Sequence, residues 1–283
     1  MTGVPDGLPA LSDVIRAHGL SARKSLGQNF ILDLNLTRRI ARAGGSLEGV
    51  TVVEIGSGPG GLTRALLLEG AARVIAVERD ERCFPALEQI AAHYPGRVDI
   101  VKADATKTDL STFARSPARI IANLPYGAST QLLAHWLSAG PWPPWYDKMV
   151  LMFQREVADR ITAAPGNKTY GRLSVLAQWR TTPRTVLTLP PRAFTPAPKV
   201  DSSLVEFIPR VEPEPAGSTE ALQKVVAAAF GQRRKMLRQS LKTAMQDPEK
   251  ILESAGIEPT LRAEVLTVSD FCNLARIWND NLS

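Results

Sequence analysis

The stretch Thr51-Val52-Val53-Glu54-Ile55-Gly56-Ser57-Gly58-Pro59-Gly60-Gly61 is a β-branched run that ends in a glycine-rich turn. It satisfies G-x-G-x-x-G through Gly56, Gly58 and Gly61. Glycines at such a turn let the chain bend sharply and let a ligand approach the backbone with no Cβ in the way. A purely structural turn fits the pattern, and so does a dinucleotide site. A Walker-type phosphate loop does not, because no Lys-Ser/Thr pair follows Gly61.

Outward from this turn, short apolar runs at 73–77, 97–101 and 118–122 repeat the strand signature of 51–55. Helix-like segments lie between them at 61–69, 81–92 and near 108–113. Strands alternating with helices predict βαβ units and a mainly parallel sheet, hence an α/β class. A helix at 128–138, a strand at 147–153 and a helix at 172–180 follow. Strands at 184–189 and 203–208 are expected to form an antiparallel edge of the same sheet. Segment 209–218, rich in Pro and acid, reads as a linker. Beyond it the pattern is helical, at 219–229, 233–245, 248–255, 260–265 and 269–279. The expected division is therefore an α/β domain over 1–210 and a small all-α domain over 211–283.

At 283 residues, 44% hydrophobic and 22% charged, the chain is an ordinary folded protein and not a disordered or collagenous one. No apolar run approaches the roughly 20 residues that a membrane span requires. The first residues lack a basic n-region and carry Asp6 and Asp13, against a secretory signal. Cys83 and Cys272, the two cysteines, make neither a disulfide framework nor a Cys-based zinc site. A reducing cytoplasm is the expected location, monomer the default state, and no metal is expected. The net charge of +6 is unevenly spread: segment 145–200 holds nine Lys/Arg against three Asp/Glu. Arg233, Arg234, Lys235, Arg238 and Lys242 form a second basic cluster. Such patches suit a polyanion partner, though a solvated surface has the same composition.

Polar residues recur at the ends of successive strands: Glu54, Glu78, Asp104 and Asn123. In an open α/β sheet, ligands bind beyond those ends. Glu54 two residues before Gly56 gives E-x-G-x-G, which resembles the S-adenosylmethionine loop of Rossmann-like methyltransferases. Glu78 can take both ribose hydroxyls, since a carboxylate is a two-oxygen acceptor. Asp104 can accept from an adenine amino group. Asn123-Leu124-Pro125-Tyr126 resembles the N-L/I-P-Y motif of methyltransferases acting on adenine amino groups. The Asn123 side-chain carbonyl and the Leu124 backbone carbonyl can each accept one N–H of an exocyclic amine. That favours a pyramidal nitrogen with its lone pair aimed at the methyl donor. Pro125 fixes its φ and so stiffens the turn, and the Tyr126 ring can stack on a flipped-out base. No base is needed before attack on a sulfonium, so catalysis is positioning and electrostatics.

Across 12–280 the chain resembles the bacterial 16S rRNA adenine dimethyltransferases, the kasugamycin-sensitivity methyltransferases. Five further blocks carry the likeness. They are Lys24-Ser25-Leu26-Gly27-Gln28-Asn29-Phe30-Ile31, Gln154-Arg155-Glu156-Val157-Ala158-Asp159-Arg160 and Tyr170-Gly171-Arg172-Leu173-Ser174-Val175, then Phe194-Thr195-Pro196-Ala197-Pro198-Lys199-Val200-Asp201-Ser202 and Phe230-Gly231-Gln232-Arg233-Arg234-Lys235-Met236-Leu237-Arg238. Ile31 and Met236 depart from the common Leu and Thr. The resemblance implies a Rossmann-like methyltransferase sheet with helices on both faces, plus an all-α C-terminal domain that binds rRNA. It implies S-adenosyl-L-methionine as cofactor, held by Asn29, Ile31, Gly56, Gly58, Glu78, Asp104 and Asn123. It implies that Tyr126 and Phe194 sandwich the target base. It also implies that Arg155, Arg172, Lys199, Arg233, Arg234, Lys235 and Arg238 hold phosphates of 16S rRNA, in the small subunit or its precursor. In a helix, Arg234 and Arg238 would share one face. The implied reaction is N6,N6-dimethylation of two adjacent adenosines near the 3′ end of that RNA.

Three rivals remain open at the level of sequence. A resistance-type 23S rRNA methyltransferase shares the glycine loop and N-x-P-Y, but the Y-G-x-L-S-V and Q-R-R-K-x-L-R blocks disfavour it. A non-catalytic assembly factor would keep the fold, but has no need of an intact Glu78, Asp104 and Asn123. Glu54 and the Asn123–Tyr126 turn count against an NAD-dependent oxidoreductase. His18, His93 and His135 have no metalloprotease or hydrolase spacing.

Overall fold

The computed structural model describes residues 6–23, 26–114, 116–138 and 140–281. Lys24 and Ser25 of the Lys24–Ile31 block lie outside the described residues. The elements in chain order begin with α1 (Leu11–Ala17), α2 (Leu34–Ala43), β1 (Thr51–Ile55), α3 (Gly61–Leu68), β2 (Arg73–Glu78) and α4 (Phe84–His93). They continue with β3 (Val98–Lys102), β4 (Ala118–Ala122), α5 (Tyr126–Ser138), β5 (Lys148–Gln154), α6 (Arg155–Thr162) and α7 (Arg172–Arg180). The rest are β6 (Thr181–Leu189), β7 (Ser202–Pro209), α8 (Thr219–Gly231), α9 (Leu237–Ser240), α10 (Pro248–Ser254) and α11 (Val268–Asp280).

The strands form one sheet in the order β3-β2-β1-β4-β5-β7-β6. β1 pairs in parallel with both β2 and β4, with Glu54 opposite Ala76 and Val53 opposite Ile120. β7 runs antiparallel to β5, with Leu151 opposite Val205. All five residues of β1 are buried, so it reads as a continuous apolar run rather than an alternating one. The strand order reverses direction between β1 and β4. Right-handed crossovers then put α3 and α4 on one face and α5 on the other. The crevice at that reversal is where this class of sheet binds ligands, and it opens on Gly56 and Asn123.

The chain divides into two compact units. The first comprises Met1–Trp136, Pro144–Arg155 and Arg184–Pro209. The second comprises Leu137–Pro143, Glu156–Pro183 and Arg210–Ser283. The expected boundary at 210 is thus corrected: 137–143 and 156–183 belong with the C-terminal helices. The reason is apolar. Tyr170, Val175 and Trp179 are buried in one cluster with Leu222, Val226, Phe271 and Leu274. Burying each such side chain is worth about 1.5–3 kcal/mol. Trp179 Nε1 also donates to the Glu214 carbonyl at 2.8 Å, which ties α7 to the linker.

The expected helix at 233–245 is also corrected. Residues 232–234 form a turn, 235 a bend, α9 is a single helical turn, and a 3₁₀ turn follows at Leu241–Thr243. Leu237 N and Arg238 N donate instead to the carbonyls of Leu261 and Pro259, at 2.8 and 3.1 Å. Backbone donors spent on another segment cannot extend a helix from Gln232. Arg234 therefore precedes the helical turn that carries Arg238, and the shared helix face does not form. Among the described residues no helix is long and apolar enough to cross a membrane.

Candidate active site

A cavity of about 500 Å³ lies at the carboxyl ends of β1, β2 and β4 within the first unit. It is lined by Asn29, Ile31, Gly56, Gly58, Glu78, Asp104 and Asn123, and by Leu124, Pro125 and Tyr126. Every residue expected to hold the cofactor thus faces one space.

The glycine turn shapes its floor. Gly58 has φ +53° and donates its N–H to Glu78 Oε2 at 2.7 Å. Gly60 caps α3 with φ +88°, and a Cβ there would lie 2.1 Å from Ile90 Cδ1. Only glycine combines that backbone conformation with that packing.

Glu78 is 5% exposed, and its carboxylate accepts three backbone N–H groups: Gly58, Arg79 at 2.8 Å and Asp80 at 2.7 Å. An ionised carboxylate offers about four acceptor directions. Three of those directions are taken, which leaves one vacant. Asp104 Oδ1 accepts from the Thr106 hydroxyl and N–H at 2.7 and 2.9 Å, and Oδ2 stands 3.7 Å from Arg79. The Thr106 hydroxyl, the Thr106 amide and Arg79 hold the Asp104 carboxyl below its ordinary value, so it stays an acceptor.

Glu54 differs in kind. It is 2% exposed, and burial pushes its carboxyl up to about 8 against the stabilising bond from Thr63 Oγ1 at 2.5 Å. The charge of Glu78 adds to the rise. An unfolded glutamate ionises near 4.5, so between that value and about 8 the folded chain holds a proton that the unfolded chain has lost. The associated stability is full below the lower pH and declines as pH rises to the upper one. Glu54→Gln keeps the shape and removes the titration. Urea unfolding of the ligand-free protein from pH 5 to pH 8 is expected to show a shallower loss of stability in this variant than in the parent. An equal slope in both would move the buried proton elsewhere.

The turn after β4 carries Asn123, Leu124, Pro125 and Tyr126 along the cavity. Asn123 Nδ2 donates to the Asn29 carbonyl at 3.1 Å, which fixes the amide plane and leaves Oδ1 as the acceptor. Ala128 N and Ser129 N both bond the Pro125 carbonyl, so the Leu124 carbonyl stays outside the helical ladder of α5. Tyr126 lines the cavity, and its hydroxyl meets Ser202 Oγ at 2.5 Å. Ser202, fully buried at the start of β7, was legible only as part of a motif block and had no role assigned by the residues alone.

Phe194 stands apart from the cavity lining. It is 3% exposed, sits in the apolar cluster that includes Leu189 and Leu204, and does not line the cavity. Burial stabilises a phenyl ring by about 2–3 kcal/mol, and the pairing of Thr195 with Phe30 anchors the adjoining backbone. Tyr126 alone of the expected sandwich faces the cavity.

The expected phosphate ligands divide by exposure. Arg172, Lys199, Arg234 and Lys235 are exposed. Arg155 is also exposed, 3.4 Å from Asp201 Oδ2. Arg233 is partly committed inside the second unit, to the Asn167 carbonyl at 3.4 Å and to Glu264 at 4.0 Å. Arg238 faces Glu249 at 3.8 Å.

A family profile described as "Ribosomal RNA adenine dimethylase" matches residues 19–280. The chain belongs to the ribosomal RNA adenine dimethylase family. Among its dimethylase relatives, "Ribosomal RNA small subunit methyltransferase A" of Rhodopseudomonas palustris (strain HaA2) is 62% identical over 271 residues, covering 95% of this chain and 94% of that one. The protein of the same name from Xanthobacter autotrophicus is 59% identical over 274 residues, covering 96% and 95%. Two solved structures share the dimethylase fold. A dimethyladenosine transferase from Plasmodium falciparum has TM-score 0.69 at 24% identity, covering 84% of this chain and 93% of its own. The 23S rRNA methyltransferase ErmE has TM-score 0.65 at 24% identity, covering 88% and 99%.

Proposed function

We propose that this protein is an S-adenosyl-L-methionine-dependent rRNA adenine dimethyltransferase that converts two adjacent adenosines near the 3′ end of 16S rRNA to N6,N6-dimethyladenosine. The observation that carries the reading is the Asn123-Leu124-Pro125-Tyr126 turn, which lines one cavity with Glu78 and Asp104. Family membership and the relatives named for the small subunit support it.

The residues present fit the cofactor. Two carboxylates at strand ends suit a ribose and an adenine amine, and the Gly58 backbone leaves the cavity floor free of side chain. Glu78 would hold the ribose, Asp104 the adenine, and Asn29, Ile31 and Gly56 the methionine end. S-adenosyl-L-methionine supplies a methyl group on a positively charged sulfur, an electrophile that needs no base to activate the amine. Asn123 Oδ1 and the Leu124 carbonyl accept the N–H groups of the target amine and orient its lone pair. After one methylation only one N–H remains, so one acceptor goes unused in the second round. Tyr126 stacks on the extruded base, its hydroxyl held by Ser202. Arg172, Lys199, Arg234 and Lys235 contact RNA phosphates. The enzyme acts as a monomer in the cytoplasm, on the small subunit or its precursor.

The test is transfer of labelled methyl groups to undermethylated small subunits and to large-subunit RNA, with the product mapped by mass spectrometry. Dimethyladenosine in 16S rRNA is the expected result. Label confined to large-subunit RNA would favour the 23S reading. Binding to small subunits without label would favour an assembly factor.

A further inference from the structure

The short segment from Gln28 to Phe30 contacts three parts of the site. Gln28 Nε2 donates to Asp80 Oδ2 at 2.9 Å, and Gln28 Oε1 accepts from Arg23 N at 2.9 Å. The Asn29 carbonyl accepts from Asn123 Nδ2. Phe30 and Thr195 exchange both backbone bonds, at 2.9 and 2.8 Å. Asp80 is 6% exposed, and its N–H donates to Glu78 Oε1 at 2.7 Å. Arg82 holds the Asp80 carboxylate at 2.6 and 2.9 Å and reaches the Ser21 carbonyl at 3.3 Å.

We propose that Gln28 and Asp80 are positioning residues for methyl transfer: their hydrogen bond fixes the Asn29 carbonyl, and through it the amide of Asn123, relative to Glu78. The proposal rests on the reading of Asn123 as the acceptor for the target amine. Its physical content is simple. An Asn amide rotates freely about its last torsion unless one end is held. Here the Asn29 carbonyl holds Nδ2, so the direction of Oδ1 is as good as the placement of that carbonyl. Phe30–Thr195 fixes the segment on one side and Gln28–Asp80 on the other. Asp80 does not line the cavity, so its influence on transfer passes through Gln28 or the Glu78 carboxylate. The same residue that donates to the Glu78 carboxylate thus anchors the segment that orients Asn123.

Gln28→Glu tests this sharply. It preserves shape but sets one carboxylate against another, where Gln28 Nε2 now donates to Asp80 Oδ2. The expected result for Q28E is a fall in kcat of about 10–100-fold at saturating cofactor, the cost of a misplacement near 1 Å. The Kd for S-adenosylhomocysteine, by calorimetry, should change less than about threefold, so the loss falls on transfer rather than binding. Q28A, which adds no charge, should lower kcat in the same direction, and serves if Q28E fails to fold. Parental kcat in Q28A or Q28E would overturn the proposal, as would a loss of S-adenosylhomocysteine affinity equal to the loss of kcat. Asn123→Ala is run beside them. If that variant stays active, the underlying reading of Asn123 fails and the proposal with it. If it is inactive while Q28E is not, only the proposal fails.

Discussion

Asn123→Ala is expected to lower kcat for methyl transfer by at least about 10²–10³-fold, the scale on which losing one preorganised polar contact to the reacting group acts. The amide is anchored at Nδ2 by the Asn29 carbonyl, so its Oδ1 has a defined direction before substrate arrives. Alanine removes the acceptor and leaves the Asn29 carbonyl without its partner. The Leu124 carbonyl remains, but one acceptor alone does not set the pyramidal geometry of an amine. Asn123 also lines the cavity with Glu78 and Asp104, so affinity for S-adenosylhomocysteine should weaken, by less than about tenfold. Binding to the small subunit should be unchanged, because Asn123 is not among the exposed basic residues. Single-turnover transfer with product mass, alongside filter binding, measures both. Full activity in this variant would sink the amine-binding assignment.

Charge reversal at Arg234 and Lys235 together should weaken rRNA binding and flatten its dependence on salt. Each phosphate contact contributes about 0.7–0.9 to the slope of log K against log salt, so losing two should lower the slope by nearly two. These two side chains are exposed and meet no acidic partner among the described residues. Arg238 is a poorer probe, because reversing it also sets it against Glu249. Methyl transfer at saturating RNA should survive, since the cavity is built from other residues. Affinities from 50 to 200 mM salt give the measurement. An unchanged slope would assign this cluster to the protein surface rather than to phosphates.

The parts of the fold most legible from the residues were those where one physical rule acts alone. β1 is fully buried, so β-branched residues, interrupted only by Glu54, run up to the glycines. The four acids and amides at strand ends were legible because a parallel sheet brings successive carboxyl ends to one edge. Other parts depend on distant partners. α6 buries only Ala158 and Ile161, too narrow a stripe to announce a helix. α2 was not read from the sequence; the signal it carried was its cap, Asp33, which accepts from Asn35 N at 2.8 Å. The turn at 232–234 follows from bonds to Leu261 and Pro259, more than twenty residues away. Phe194 lies in a motif block that says nothing about which way its ring turns. Gln28 and Asp80 were in plain view, yet 52 residues separate them.

The allegiance of α6 and α7 to the C-terminal unit constrains how such a chain can change over evolutionary time. A recombination event at residue 210 looks harmless on the linear sequence, since it falls in a proline-rich linker. In three dimensions it would join Tyr170, Val175 and Trp179 of one parent to Leu222, Phe271 and Leu274 of another, inside a single close-packed core. Genes of this architecture therefore inherit residues 156–183 and 210–280 as a linked set, even though β6 and β7 of the catalytic sheet are encoded between them.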